Sequence, residues 1–209
     1  MNAPSTVADP PEAPASERSD SVPAAEPGYT VLNIGSGYPL RQKLPPMFQG
    51  PEWRELRHDV DAGVNPDILC PLTDLSPVAT GSIDAIWSSH NLVHLHRHDV
   101  PRALSEFLRV LRPGGLLLAR VLNLRRVCEY IAADALDGEV YRAPSGPITP
   151  LDMLYGHVGS IAQGAAYMAH KSGFTGTTLC QLLVAAGFVE VEIRQADFDL
   201  QARAHKQPH

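Results

Sequence analysis

From residue 29 onward the chain alternates short apolar runs with polar turns, and the pattern of those runs predicts the elements. Residues 29–34, 53–58, 67–70 and 82–87 each read as a buried strand bounded by glycine, proline or aspartate. From residue 99 the apolar spacing becomes helical, with Val100, Leu104, Phe107, Leu108 and Leu111 on one face. Pro113-Gly114-Gly115 is expected to stop that helix. Residues 116–122, continuously apolar, predict a central parallel strand covered on both faces. Residues 124–136 read as a helix, and 138–173 as an irregular segment rich in proline and glycine. A last helix carries Leu179, Leu182, Leu183 and Ala186 on one face, with Thr177 as expected N-cap and Gly187 as C-cap. Residues 189–195 and 198–204 alternate as two strands around a turn at Ala196-Asp197. Strands separated by helices, then a closing hairpin, predict an α/β fold. Its core is a doubly wound, mainly parallel seven-stranded sheet with an antiparallel closing hairpin.

Composition changes the picture mainly at the N-terminus. Residues 1–27 are rich in Pro, Ala, Ser and Glu and poor in large apolar residues, so they are expected to form a disordered tail ahead of a domain spanning 28–209. The 209 residues carry a formal net charge of −6. Asp9, Glu12, Glu17, Asp20 and Glu26 against Arg18 alone place −4 of that charge in the tail, leaving about −2 for the rest by difference. A nearly neutral domain lacks the basic stripe of a nucleic-acid binder, so no nucleic-acid partner is expected. No apolar run reaches the ~18 residues a membrane span needs, and no basic-then-apolar leader opens the chain. Cys70, Cys128 and Cys180 are widely spaced and odd in number, which suits reduced core thiols and a cytoplasmic location.

The candidate chemistry starts at the glycine turn. Asn33-Ile34-Gly35-Ser36-Gly37 closes the first strand, where the absence of side chains lets backbone approach a ligand. Ligands of doubly wound sheets bind beyond the carboxyl ends of the strands. A dinucleotide site would want a third glycine where Leu40 stands, which disfavours it. Asp59 and Asp61 follow the second strand and could accept ribose hydroxyls in charge-assisted hydrogen bonds. Leu72 and Thr73, after the third strand, could frame an adenine edge, and Ser88 follows the fourth strand, whose carboxyl end should face the donor.

Three stretches together resemble the class I S-adenosylmethionine (SAM)-dependent methyltransferases, specifically the type 11 group, a Rossmann-like fold. They are Asn33–Gly37, the run Thr80-Gly81-Ser82-Ile83-Asp84-Ala85-Ile86-Trp87, and Phe107-Leu108-Arg109-Val110-Leu111-Arg112-Pro113-Gly114-Gly115. The resemblance implies S-adenosyl-L-methionine as cofactor, methyl transfer as activity, and Asn33, Gly35, Ser36 and Gly37 near the donor. The family usually has an acid at Asn33, a glycine at Pro39, an acid near Pro71 and a glutamate at Val93. Those departures define a second reading, a catalytically degenerate methyltransferase-fold protein serving as a binding or assembly subunit.

Ser88 to His98 holds four histidines after the fourth strand. No cysteine or HExxH pattern accompanies them, so no metal is expected. His90 and His94 are the candidate proton acceptors, and Asn91 a candidate substrate contact. His96 and His98 are expected to be solvated. The irregular segment 138–173 is expected to cover a small-molecule acceptor, with Tyr155, His157, Tyr167 and His170 as candidate contacts.

Overall fold

A computed structural model describes residues 28–39, 44–143 and 146–209. The expected tail, 1–27, and Leu40 lie outside the described residues. In chain order the described elements are β1 (Tyr29–Ile34), β2 (Trp53–Asp59), β3 (Ile68–Leu69), β4 (Ile83–Ser89), α1 (Val100–Val110), β5 (Leu111–Leu122) and α2 (Leu124–Ala132). There follow β6 (Tyr141–Ala143), β7 (Gly146–Ile148), α3 (Pro150–Tyr155), α4 (Val158–Ala162), α5 (Gly176–Ala186), β8 (Phe188–Ala196) and β9 (Asp199–Lys206).

Seven strands form one sheet in the order β3-β2-β1-β4-β5-β9-β8. The first five run parallel, β9 pairs antiparallel with β5, and β8 antiparallel with β9. The sheet and its closing hairpin are as the sequence pattern predicts. The order reverses between β1 and β4, which places a crevice beyond their carboxyl ends.

The main core lies on one face of the sheet. Leu32, Ile34, Ile86, Leu117 and Val121 meet Leu104 and Phe107 of α1 and Leu179 and Leu183 of α5. Each fully buried side chain of this size contributes about 1.5–3 kcal/mol. On the opposite face Val31 and Ala85 pack under Phe48, with Trp53, Trp87, Leu116 and Leu118 beside them. A third cluster, Leu122, Val127, Ile148 and Met153, gathers α2, β7 and α3 at the carboxyl end of β5.

Several boundaries differ from the sequence expectation. Helix α1 ends at Val110 because Leu111 is already extended, so Pro113-Gly114-Gly115 lies inside β5 rather than capping the helix. The strand accommodates these residues at a register shift between Ile83 and Ala85, with Gly114 at φ +74°. Helix α5 starts at a capping box between Thr175 and Thr178, not at Thr177. Gly187 does cap its end, in the left-handed conformation. Residues 138–173 contain a small hairpin and two short helices rather than irregular chain alone. Cys128 is exposed on α2, whereas Cys70 and Cys180 are partly buried; all three are free thiols.

Candidate functional site

The glycine turn is held open by a side chain from across the crevice. Gly35 and Gly37 both adopt left-handed backbone, φ +59° and +58°. A Cβ on Gly35 would collide with Oδ1 of Asn91, so only glycine fits there. The Nδ2 group of Asn91 donates to the carbonyls of Ile34 (2.7 Å) and Ser89 (3.1 Å), tying the end of β1 to the end of β4. Asn91, expected as a substrate contact, therefore sits as a clamp between two loops. Ser88 is buried, with its Oγ 3.4 Å from the same amide.

Ser36 is buried at 3% exposure, and its hydroxyl has no hydrogen-bond partner. Buried polar groups are nearly always paired, so an orphaned hydroxyl inside a ligand crevice marks a position that a ligand can satisfy. Asn33 is buried too, its Nδ2 donating to Glu55 Oε1 at 2.7 Å while its Oδ1 is unpaired.

The acids after β2 are already partly engaged. The Oδ1 atom of Asp59 accepts from the N–H groups of Val60 and Asp61, and its Oδ2 from Gly37 N–H at 2.9 Å. This carboxylate braces the glycine turn and keeps one lone pair on Oδ2 for a hydroxyl. Asp61 accepts from Gly63 N–H on one oxygen and from the Tyr167 phenol, at 3.0 Å, on the other. Leu72 belongs to the main core, so the loop after β3 presents Thr73, half-buried, rather than Leu72.

The end of segment 138–173 is hydrogen-bonded to the turn after β4. The N–H groups of Lys171 and Ser172 both donate to the carbonyl of Val93 (2.8 and 3.2 Å), and the Ser172 hydroxyl donates to that of Leu92. The Nδ1–H of His94 donates to Ala169 O at 3.2 Å, and that of His170 to Met153 O at 2.8 Å, with the two rings 5.1 Å apart. Burial pushes the His94 imidazole down to about 4, and burial likewise lowers His170. His94 is thus a neutral latch under the covering segment. The ring of His157 caps α4 through Ser160, and Tyr155 is exposed. Burial, then the bond to Asp61, raises the Tyr167 phenol above its usual range. His96 and His98 are exposed and stacked on each other. Among the described residues no group of three His, Cys, Asp or Glu is arranged to hold a metal.

His90 stands apart from the latch. Its backbone is left-handed, φ +59°, and its N–H donates to Arg120 O at 2.7 Å. Its Nε2 lies 3.5 Å from Asp199 Oδ1, with about a third of the side chain exposed. Beside it, Leu44, Pro46, Trp87, Leu118, Arg120 and Gln201 line a groove of about 380 Å³.

Three contributors were missed from sequence. Arg57 spans β2 to the glycine turn, donating to Gly37 O (2.8 Å), Val64 O (2.9 Å) and Asn65 O (3.0 Å). Asp199 and Arg120 meet His90 only through strand pairing. Arg57 had a signal, being a cation within a strand leading to the crevice. Asp199 and Arg120 had none, because their partners are distant in sequence.

The parallel sheet, its closing hairpin and the glycine turn define the Rossmann-like fold of methyltransferases. The family model described as a methyltransferase domain matches residues 54–119. A SAM-dependent methyltransferase from Methanosarcina mazei superposes with a TM-score of 0.56 at 16% identity, covering 91% of this chain and 100% of that one. The 1,6-didemethyltoxoflavin-N1-methyltransferase of Burkholderia thailandensis, solved with 1,6-didemethyltoxoflavin and S-adenosylhomocysteine, gives 0.50 at 19% identity, covering 85% and 71%. A malonyl-[acyl-carrier protein] O-methyltransferase of Laribacter hongkongensis is 38% identical over 77 residues, 36% of this chain. The match spans only a quarter of that relative's length. Over residues 54–119 the chain is thus similar to a methyltransferase domain, and its fold is that of the solved SAM-dependent methyltransferases, which makes SAM the group to test against the site. The residues present fit that group: the Ser36 hydroxyl lacks a partner, and Asp59 keeps an open lone pair. No helix among the described residues is long and apolar enough to cross a membrane.

Proposed function

We propose that the chain transfers a methyl group from SAM to a small-molecule acceptor. The observation that carries this is the buried, unpaired Ser36 hydroxyl inside a glycine turn that admits no side chain at Gly35. When bound, SAM supplies a sulfonium methyl that is already activated, so the protein's task is alignment and exclusion of water. Gly35, Ser36 and Gly37 hold the methionine side of the donor, Asp59 and Asp61 its ribose hydroxyls, and Thr73 borders the adenine. The segment carrying Tyr167 and His170 covers the crevice, and His90 takes the acceptor proton.

The relatives act on chemically different acceptors. The Laribacter protein is named for malonyl-[acyl-carrier protein] and the Burkholderia protein for 1,6-didemethyltoxoflavin, which are unlike one another. Incubation with methyl-tritiated SAM and a panel of small hydroxyl, amine and carboxylate compounds tests the proposal. Label transfer to a panel member supports it. Saturable SAM binding without transfer on any acceptor favours the degenerate binding-subunit reading, and no binding overturns both donor use and catalysis.

A further inference from the structure

Asp199, at the start of β9, and Arg120 on β5 lie against His90, on the strands next to β4. Asp199 Oδ1 lies 3.5 Å from His90 Nε2, and its Oδ2 lies 3.5 Å from Arg120 Nε. Arg120 in turn donates from Nε to Ser89 Oγ at 3.2 Å and lies over the Trp87 ring, 5.8 Å from its centroid. The cation therefore holds the carboxylate, and the carboxylate faces one ring nitrogen of a partly exposed imidazole. The left-handed backbone at His90 and its N–H bond to Arg120 O turn that ring toward β9.

We propose that Asp199 is a positioning residue that fixes His90 in the Nε2–H tautomer, leaving Nδ1 as the proton acceptor for a hydroxyl or amine substrate. This rests on the methyltransferase reading above. The proton balance explains why a carboxylate is useful there. The acceptor oxygen or nitrogen bonds the methyl carbon, the carbon–sulfur bond breaks with its electron pair left on sulfur, and the acceptor proton passes to Nδ1 of His90. The positive charge thus leaves the sulfonium and arrives on the imidazole, where Asp199 stabilises it. A carboxylate acceptor would be ionised at neutral pH and would need no base. It would also meet the negative charge of Asp199. The groove that Arg120 shares with Trp87, Leu118 and Gln201 adjoins the pair and offers the acceptor an apolar wall.

The test is a long-range proton–nitrogen correlation spectrum of the full-length ¹⁵N-labelled chain at neutral pH, with His90 assigned through His90→Gln. The expected result is an Nε2–H tautomer in the wild type, loss of that bias in Asp199→Ala, and its return in Asp199→Glu. An Nδ1–H tautomer in the wild type overturns the proposal without any variant having to fold. A tautomer unchanged by Asp199→Ala, in a variant whose circular dichroism is intact, overturns it as well. SAM titration of the same samples separates the two claims. Donor binding with no Asp199 effect removes the positioning role alone, whereas absent donor binding removes the methyltransferase reading. Methyl transfer to a carboxylate at a rate indifferent to His90→Gln would also overturn it.

Discussion

The phenol of Tyr167 donates to Oδ2 of Asp61 across 3.0 Å, joining the covering segment to the loop after β2. A ribose hydroxyl arriving at Asp61 would form the same kind of bond, so in this conformation Tyr167 occupies a place the donor would claim. Tyr167→Phe removes the competing hydroxyl and leaves the ring. Calorimetric titration should show SAM binding tighter by several-fold, consistent with the ~1 kcal/mol net value of one hydrogen bond. Unchanged or weaker binding would show that Asp61 does not serve the ribose.

Gly35→Ala should destabilise the fold and abolish donor binding together. The left-handed backbone costs an L-residue about 1–3 kcal/mol, and the new methyl group drives Asn91 out of its position between Ile34 and Ser89. Urea denaturation reads the stability, and SAM titration below the transition reads the site. Asn91→Ala should reproduce the binding defect without the backbone strain. A variant Gly35→Ala of wild-type stability and affinity would sink this description of the turn.

Acid should loosen the covering segment through His94. Its folded-state value of about 4 lies below the ordinary imidazole value of 6.5, so the unfolded chain binds more protons between those limits. The stability due to a neutral His94 is complete above pH 6.5 and is lost as pH falls toward 4. The loss over that window is about 3 kcal/mol at most, and His170, also lowered by burial, adds in the same direction. Carboxylates titrate in the lower part of this range, so the informative quantity is the difference between wild type and His94→Asn. The variant should show a shallower rise of melting temperature from pH 4 to 6.5. Parallel curves would contradict the latch.

Thr175 and Thr177 should behave differently although they stand two residues apart. Thr175 accepts from Thr178 N–H at the start of α5 and Thr177 takes no part in that box. Thr175→Ala should cost about 1 kcal/mol and Thr177→Ala close to nothing, both by chemical denaturation. Equal costs would mean that α5 starts later than described.

That pair also shows where sequence reasoning stopped. The strands and the helical faces of α1 and α5 were legible because burial imposes a period on the chain, and Leu104, Phe107, Leu179 and Leu183 all lie in the core as the period requires. Helix ends were less legible, since several threonines near residue 175 could cap and geometry selects one. Pro113-Gly114-Gly115 looked like a stop signal, yet β5 absorbs it at a register shift. The glycine turn was legible from chemistry alone. The roles of Asn91, His94 and Arg57 were not, because each is set by a partner brought close only by the sheet: Ile34, Ala169 and Gly37 respectively. Two histidines four residues apart read alike in sequence, and folding buries one under the covering segment while leaving the other against Asp199.

The central claim is that the turn Gly35-Ser36-Gly37 receives SAM. Isothermal titration of the full-length chain with SAM tests it most directly, with Gly35→Val as the control. The account predicts saturable binding at one site per chain, lost in the control, with a matching rise in melting temperature for the wild type alone. No heat and no thermal shift at millimolar SAM, or equal binding by the control, would contradict it.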